Sequence, residues 1–546
     1  MRARSYGARP PRGLQTAALT VVLTLLPGGA SAQDVGGSAD DAPLWTRSWS
    51  PLRWIADLPR ILPSASGALP EPLLWPAPRV GLFWTAGNPA GLPADVSDEL
   101  SVFRGITSAE DGTYRRPLDP ARVAVQGLAA AGWRPFGDGA AVGSVRVTRS
   151  TLEGALSDYD LPYPGSPYVV MDTAASDLGR TEATLAGAAG WRSGPWSVGV
   201  ALGYRAQQSR TEAAPVPRVL SSADPGASVG LAWGRSPALR VGVHGRWRAH
   251  AERVLLYSVA ASSRIYRLQG YFEARPQDVA SGYYQRRMER DGLAGSLELG
   301  GETGTLTWTG FVERGALEER QHPTGDNDPA SDIWAADAWT FGGAARLGEN
   351  GGRTGASASI RYTSVSGEAS RGDLPDTVTF VGDESVLDAW VQATGRLNER
   401  VRVLALVTLR SEGRARTDQL ARVGSDLQGW TTGLGAGVEL RASERLELGG
   451  SAALATYGGG GGIPDPSLMG PAFRRYVAPE LILAASDATA TEASLSLLWK
   501  GLPRGAVWAR ARYHNLKGSE GAVTVSGGPQ GDRDRWTVDV GVVLGR

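Results

Sequence analysis

The segment Trp196–Tyr204 reads W-S-V-G-V-A-L-G-Y. Trp196, Val198, Val200, Leu202 and Tyr204 share one parity, and Ser197, Gly199, Ala201 and Gly203 share the other. Successive side chains of a strand point to opposite faces, so this stretch predicts a ribbon with one large apolar face and one small or polar face. The pattern recurs. Trp536, Val538, Val540, Val542 and Leu544 oppose Thr537, Asp539 and Gly541, and Leu239, Val241, Val243 and Trp247 oppose Arg240, His244, Arg246 and Arg248. Leu434, Ala436, Val438 and Leu440 oppose Gly435, Gly437, Glu439 and Arg441. Ala356, Ala358, Ile360 and Tyr362 oppose Ser357, Ser359, Arg361 and Thr363, and Leu293, Leu297 and Leu299 oppose Ser296 and Glu298. Soluble strands average about 5–6 residues. These ribbons are longer, and they match the roughly 9–11 tilted residues of a bilayer crossing.

Tight turns rich in Gly, Pro and Asn punctuate the ribbons. They fall at 134–139, 192–195, 235–238, 300–304, 349–352, 397–400, 442–444 and 502–505. Longer polar stretches alternate with them: 151–180, 209–225, 251–285, 316–332, 367–384, 413–428, 458–487 and 517–533. Eight hairpins give sixteen strands, and Glu99–Ile106 and Trp536–Leu544 bring the number to about 18. Tryptophans sit near ribbon ends (Trp133, Trp191, Trp196, Trp233, Trp430, Trp499, Trp536), where an interfacial aromatic girdle would place them. The expected fold is all-β: a transmembrane antiparallel up-and-down barrel of 16–18 strands over 99–546, with apolar faces toward lipid and polar faces toward a lumen. Trp508, Leu404 and Leu406 break this parity and are expected inside or at the rim.

The first residues change the picture. Arg2, Arg4, Arg9 and Arg12 precede an apolar run, Leu14–Leu26, and a small-residue site, Ala30-Ser31-Ala32. This is the pattern of a secretory signal peptide over 1–32. Residues 33–98, rich in Pro, Trp and Leu with little alternation, read as an irregular leader or lumen plug.

Lysine plus arginine equals aspartate plus glutamate at 56 each, so nothing points to a nucleic-acid partner. Cysteine is absent, which removes disulfides, thiolate metal sites and cysteine nucleophiles. The four histidines form no metal-type pair, and no nucleophile elbow or phosphate loop occurs. No enzyme activity, cofactor or metal is therefore expected. The run Gly458–Gly462 reads as a flexible loop tip. The most functional-looking feature is the set of charges on the inward parity. Arg240, His244, Arg246, Arg248, Glu298, Arg361, Glu439, Arg510, Arg512, His514 and Asp539 are the expected lumen lining. They could set a transverse field across a pore, or pair with one another as a polar interior.

Signal peptide, alternating barrel and closing strand together resemble bacterial outer-membrane β-barrel proteins, including large barrels known only as domains of unknown function. Trp84–Leu92 (W-T-A-G-N-P-A-G-L) is similar to the N-P-A-G-L segment of the long-chain fatty-acid transporter barrels. In that family the N-terminal stretch plugs the lumen, which marks Asn88, Pro89 and Gly91 as a possible plug motif; the same residues also make an ordinary turn. The resemblance implies outer-membrane lipid and lipopolysaccharide as surroundings and the barrel-insertion machinery as a partner. The terminal Val542-Val543-Leu544-Gly545-Arg546 departs from the aromatic ending common in such barrels. Two functions are expected from these features: a passive or plug-gated channel for small solutes, or a non-conducting barrel that anchors surface machinery. Oligomeric state is left open by the sequence.

Overall fold

The computed structural model describes residues 80–96, 99–113, 120–155, 168–172, 176–211, 218–257, 264–269, 274–278, 283–322, 332–348, 354–464, 474, 478–518 and 531–545. The expected signal peptide and leader residues 33–79 lie outside them. Strands in chain order are β1 (Leu100–Gly112), β2 (Arg122–Phe136), β3 (Gly139–Ala155), β4 (Tyr168–Asp172), β5 (Ser176–Ser193), β6 (Trp196–Thr211) and β7 (Arg218–Ser236). They continue as β8 (Leu239–Tyr257), β9 (Arg264–Gln269), β10 (Ala274–Asp278), β11 (Tyr283–Thr303), β12 (Leu306–His322), β13 (Asp332–Leu347) and β14 (Thr354–Arg371). The last are β15 (Leu374–Arg396), β16 (Val401–Asp418), β17 (Val423–Arg441), β18 (Leu446–Gly462), β19 (Ala488–Leu502), β20 (Gly505–Gly518) and β21 (Asp532–Gly545).

Eighteen of these form one antiparallel sheet, and β4, β9 and β10 form a separate three-stranded one. The large sheet closes on itself. β1 pairs with β2 on one side and with β21 on the other, Leu100 facing Gly545 and Gly112 facing Arg533. Closure leaves no edge strand, which is the condition for strands to live in hydrocarbon. The two faces are inverted relative to a soluble sheet. Leu202 (68%), Leu293 (66%) and Leu495 (70%) are exposed on the outside, while Glu298 (0%) and Asp539 (1%) are buried on the inside. An exposed apolar band of this extent is unsuited to water and suited to acyl chains. Trp191, Trp196, Trp499 and Trp536 are exposed near strand ends, and Trp430, expected there, is exposed well inside β17. Trp133, expected among them, is buried on the inner face.

The short turns fall where the alternation stops, but two expected long loops do not exist. At 367–384 the chain turns through Gly372 and Asp373 alone, and at 413–428 through residues 419–422. Polar residues continue the ladder there, and side chains close the turns. Arg371 holds Asp373 (2.9 and 2.6 Å), and Asp418 Oδ1 accepts from Leu420 N (3.0 Å) and Ala421 N (2.9 Å). Alternation of apolar residues marks only the part of a strand that meets lipid, so it underestimates strands that extend beyond it. The glycine run is likewise not a loop tip. Gly458–Gly462 ends β18 and pairs with Asp426–Trp430 of β17, with Gly458 lying against the Trp430 ring.

The outward band generates a prediction. Leu495→Arg, at the middle of β19, should cost about 2–4 kcal/mol of folding free energy in a bilayer, read by denaturant unfolding from vesicles. The inward Ser494→Arg should cost much less.

Candidate functional site

Residues 80–96 lie inside the barrel at its short-turn end. A wide helical turn (Leu82–Ala86) ends at Gly87, whose φ of +86° turns the chain. Asn88 then caps a single 3-10 turn, Pro89–Gly91, its side-chain oxygen accepting from Ala90 N at 2.9 Å. Asparagine before proline is a favoured start for such a turn. One α-helical turn, Leu92–Asp95, follows, and after a few residues the chain enters β1. Phe83, Trp84, Leu92 and Val96 are buried in one apolar cluster with Trp133, Val142, Leu498, Trp508 and Val543 of the inner wall. Trp84 meets Trp133 edge-on at 6.2 Å. Each such side chain contributes about 1.5–3 kcal/mol when fully buried. Trp508, whose inward parity broke the expected pattern, therefore belongs to the seat of the plug. Leu404, which also broke it, is buried on the inner face as well.

The plug rests on a floor of glycines. Gly190 of β5, Gly199 of β6 and Gly230 of β7 are register partners in a row. A β-carbon at Gly199 would run into the Pro89 carbonyl, and one at Gly230 into the Asn88 amide. One at Gly190 would come within 2.6 Å of the Pro89 oxygen, and one at Gly242 of β8 within 2.8 Å of Asn88 Nδ2. The Asn88-Pro89 backbone can sit this close only because the wall beneath it has no side chains. In the sequence these glycines read as ordinary small lumen-facing residues; register aligns three of them across β5, β6 and β7, and sets Gly242 opposite Ala232.

Two polar anchors hold the plug. Asn88 Nδ2 donates to Glu298 Oε2 at 2.5 Å and to the Val243 carbonyl at 3.3 Å. Glu298 also meets His244 Nδ1 and Ser296 Oγ, and all four side chains are buried. Ser296 Oγ and Glu298 reach the same imidazole nitrogen. A catalytic relay needs its nucleophile and its orienting acid on opposite nitrogens of the histidine base, so the geometry of this knot is that of an anchor rather than of a relay. The second anchor is Asp95. Its Oδ2 accepts from Phe83 N (2.8 Å), Trp84 Nε1 donates to its backbone carbonyl (3.1 Å), and Arg240 lies 3.4 Å from Oδ1. Burial pushes the Asp95 carboxyl up from 3.8 to about 7, the Phe83 hydrogen bond and Arg240 opposing that rise and Glu302 adding to it.

The remaining expected lumen residues lie on the inner face, and most pair between neighbouring strands. Arg246 meets Glu313, Arg248 reaches Asp224 at 3.6 Å, and Glu439 holds Arg402 at 2.9 Å. Asp539 holds Arg104 at 2.7 Å and Arg512 at 3.6 Å. Arg361 stacks over Phe311 at 5.6 Å, Arg510 is buried, and His514 is partly buried. These pairs favour the salt-bridged wall over opposed charges facing each other across open space. Among the described residues no three His, Cys, Asp or Glu side chains form a metal-binding group.

A family model described as a family of unknown function, DUF6850, matches residues 89–544. The chain belongs to that family. The match starts at Pro89, so the DUF6850 region includes the docked turn as well as the barrel. No curated protein matches the sequence. Solved structures similar to it include the outer membrane transporter YddB of Escherichia coli, 7% identical over 82% of this chain and 81% of that one, with a TM-score of 0.36. BauA, the ferric preacinetobactin receptor of Acinetobacter baumannii, is 9% identical over 82% and 80%, TM-score 0.35. A FadL homologue of Pseudomonas aeruginosa is 11% identical over 84% and 92%, TM-score 0.28. With scores this low, none of them assigns a role to the DUF6850 barrel.

The chain has no native cysteine, so Ala90→Cys provides a clean probe of docking: a buried thiol reacts slowly with an impermeant maleimide. Gly199→Val, which fills the floor, should speed labelling at least about tenfold. Asn88→Ala removes a hydrogen bond to a buried carboxylate, about 1.5–3 kcal/mol, and should act in the same direction. Unchanged labelling in both would contradict the docked geometry.

The raised Asp95 carboxyl sets the sign of a pH effect. A docked plug whose carboxyl titrates near 7 binds a proton more tightly than a free plug titrating near 3.8. Docking should therefore be strongest below about pH 4, weaken as pH rises to about 7, and level off above. Labelling of Ala90→Cys, referred to the same probe in an Asp95→Asn background, should rise across that window. A flat ratio would contradict the buried placement of Asp95.

Proposed function

We propose that this protein is an outer-membrane barrel through which small solutes diffuse, gated by its own N-terminal segment. The observation that carries the reading is the plug: residues 80–96 occupy the lumen and are held by a glycine floor, an apolar seat and two polar anchors. A barrel of this strand number encloses a lumen wide enough for water unless something fills it. A wall of charges serves passage of polar solutes and costs little while the charges pair. The inverted faces support residence in a bilayer, and the signal-peptide pattern supports export to the outer membrane, with lipopolysaccharide around the apolar band. No bond-making step is part of this reading; transport is down a gradient.

The test is single-channel recording of the refolded mature chain in planar bilayers beside Gly199→Val and a form lacking residues 34–90. Rare openings in the parent and frequent or steady conductance in both variants are expected. A plug-free barrel that stays silent would contradict gating and favour the anchoring role. Folding of each form is checked by gel mobility in SDS, which should change on boiling.

A further inference from the structure

The plug covers only part of the lumen wall. Its backbone lies against β3, β5 to β8 and β11 to β13, and its apolar side chains cluster with Trp133 of β2, Leu498 of β19, Trp508 of β20 and Val543 of β21. At the same short-turn end, the strands β15 to β19 carry a different set of side chains. Arg396 ends β15 and faces Arg402 of β16, which faces Glu439 of β17; Arg441 faces Glu447 of β18. Lys500 on β19 reaches Glu447 at 2.7 Å, and Arg441 lies 3.8 Å from the same carboxylate. All six share the inward parity, opposite to the exposed Val391, Val438, Leu440, Leu448 and Trp499.

Four cations therefore meet two carboxylates. Both carboxylates are already engaged, Glu439 by Arg402 at 2.9 Å and Glu447 by Lys500 and Arg441. Arg396 Nη2 and Arg441 Nε are buried and make no hydrogen bond among the described residues. Arg396 and Arg402 are register partners on adjacent strands, with their side chains on the same inner face, and the backbone of Arg441 joins that of Arg400 one turn away at 2.7 Å. Arg441 Nε is spent on its ion pair with Glu447, which leaves Arg396 Nη2 as the buried donor that an anion would satisfy. A guanidinium fork fits the paired oxygens of a carboxylate or phosphate. The plug side differs, because there Asp95, Glu298 and Glu302 are set against Arg240 and His244.

We propose that the passage beside the plug prefers small oxyanions, and that Arg396, Arg402, Arg441 and Lys500 form its selecting surface. This rests on the gated-channel reading above and names its substrate class. Charged side chains lining one part of a pore set ion preference by raising the local concentration of the opposite sign.

The experiment uses the full mature chain carrying Gly199→Val, recorded in a planar bilayer under a potassium chloride gradient. Inorganic phosphate is then added from the short-turn side. The reversal potential should lie toward chloride, and phosphate should interrupt the current. Arg396→Gln with Arg441→Gln should lower the chloride-to-potassium permeability ratio several-fold and abolish the interruptions. Arg396→Lys with Arg441→Lys should keep the ratio and weaken the phosphate effect, since the charge stays and the fork is lost. A cation preference, or a ratio unchanged by the Gln pair, would overturn the proposal and leave the gated channel intact. Silence from a heat-modifiable, folded barrel would overturn the channel reading and this proposal with it.

Discussion

Every feature of this chain depends on closing the sheet between β1 and β21. In hydrocarbon an unpaired backbone amide or carbonyl costs several kcal/mol, so an open sheet of these strands would not persist in a membrane. Once Leu100 pairs with Gly545 and Trp133, each strand has two neighbours and a fixed height. Parity then sorts the side chains. Most large apolar side chains of the lipid-facing band point outward, and arginine, glutamate and a few apolar residues such as Trp508 and Val543 point inward, where one another or residues 80–96 cover them.

The same register that closes the barrel builds the plug's seat. Gly190, Gly199 and Gly230 are remote in sequence from Asn88 and become one surface only because β5, β6 and β7 are aligned to the residue. A slip of one position would turn all three glycines outward and present Val200 and Leu231 to Pro89. The apolar seat follows the same logic: Trp508 and Val543 would be misplaced inside a water-filled lumen, and they are buried because Phe83, Trp84 and Leu92 cover them. The polar wall is mutual as well. Arg104 with Asp539 and Arg290 with Glu319, at 2.6 Å, are each nearly excluded from water; removing one partner of such a pair is far costlier than never having built it.

Fold class, strand number and inward parity were legible because few structures besides a membrane strand sustain a period of two across a bilayer's width. The N-P-A-G-L segment was legible as a turn, and Asn88 caps one there. Its anchors were not: Glu298 and Arg240 read as lumen charges, and nothing in the chain near Asn88 or Asp95 names them as partners across 210 and 145 residues. The turns at Gly372-Asp373 and 419–422 were misread as loops because polar strand ends carry no apolar alternation. Trp133 was misread as a girdle residue because position near a turn does not reveal facing; its parity, shared with the inward Ala131, would have.

A cross-link reads out whether residues 80–96 sit inside the barrel. Ala90 of the plug and Ala232 of β7 are buried in one cluster with Leu82, and no native cysteine competes. A protein carrying Ala90→Cys and Ala232→Cys, assembled in its membrane and mildly oxidised, should form an intramolecular disulfide in nearly every molecule. A pair that remains reduced, or bonds only after unfolding, would place residues 80–96 outside the lumen and leave the barrel without its inner segment.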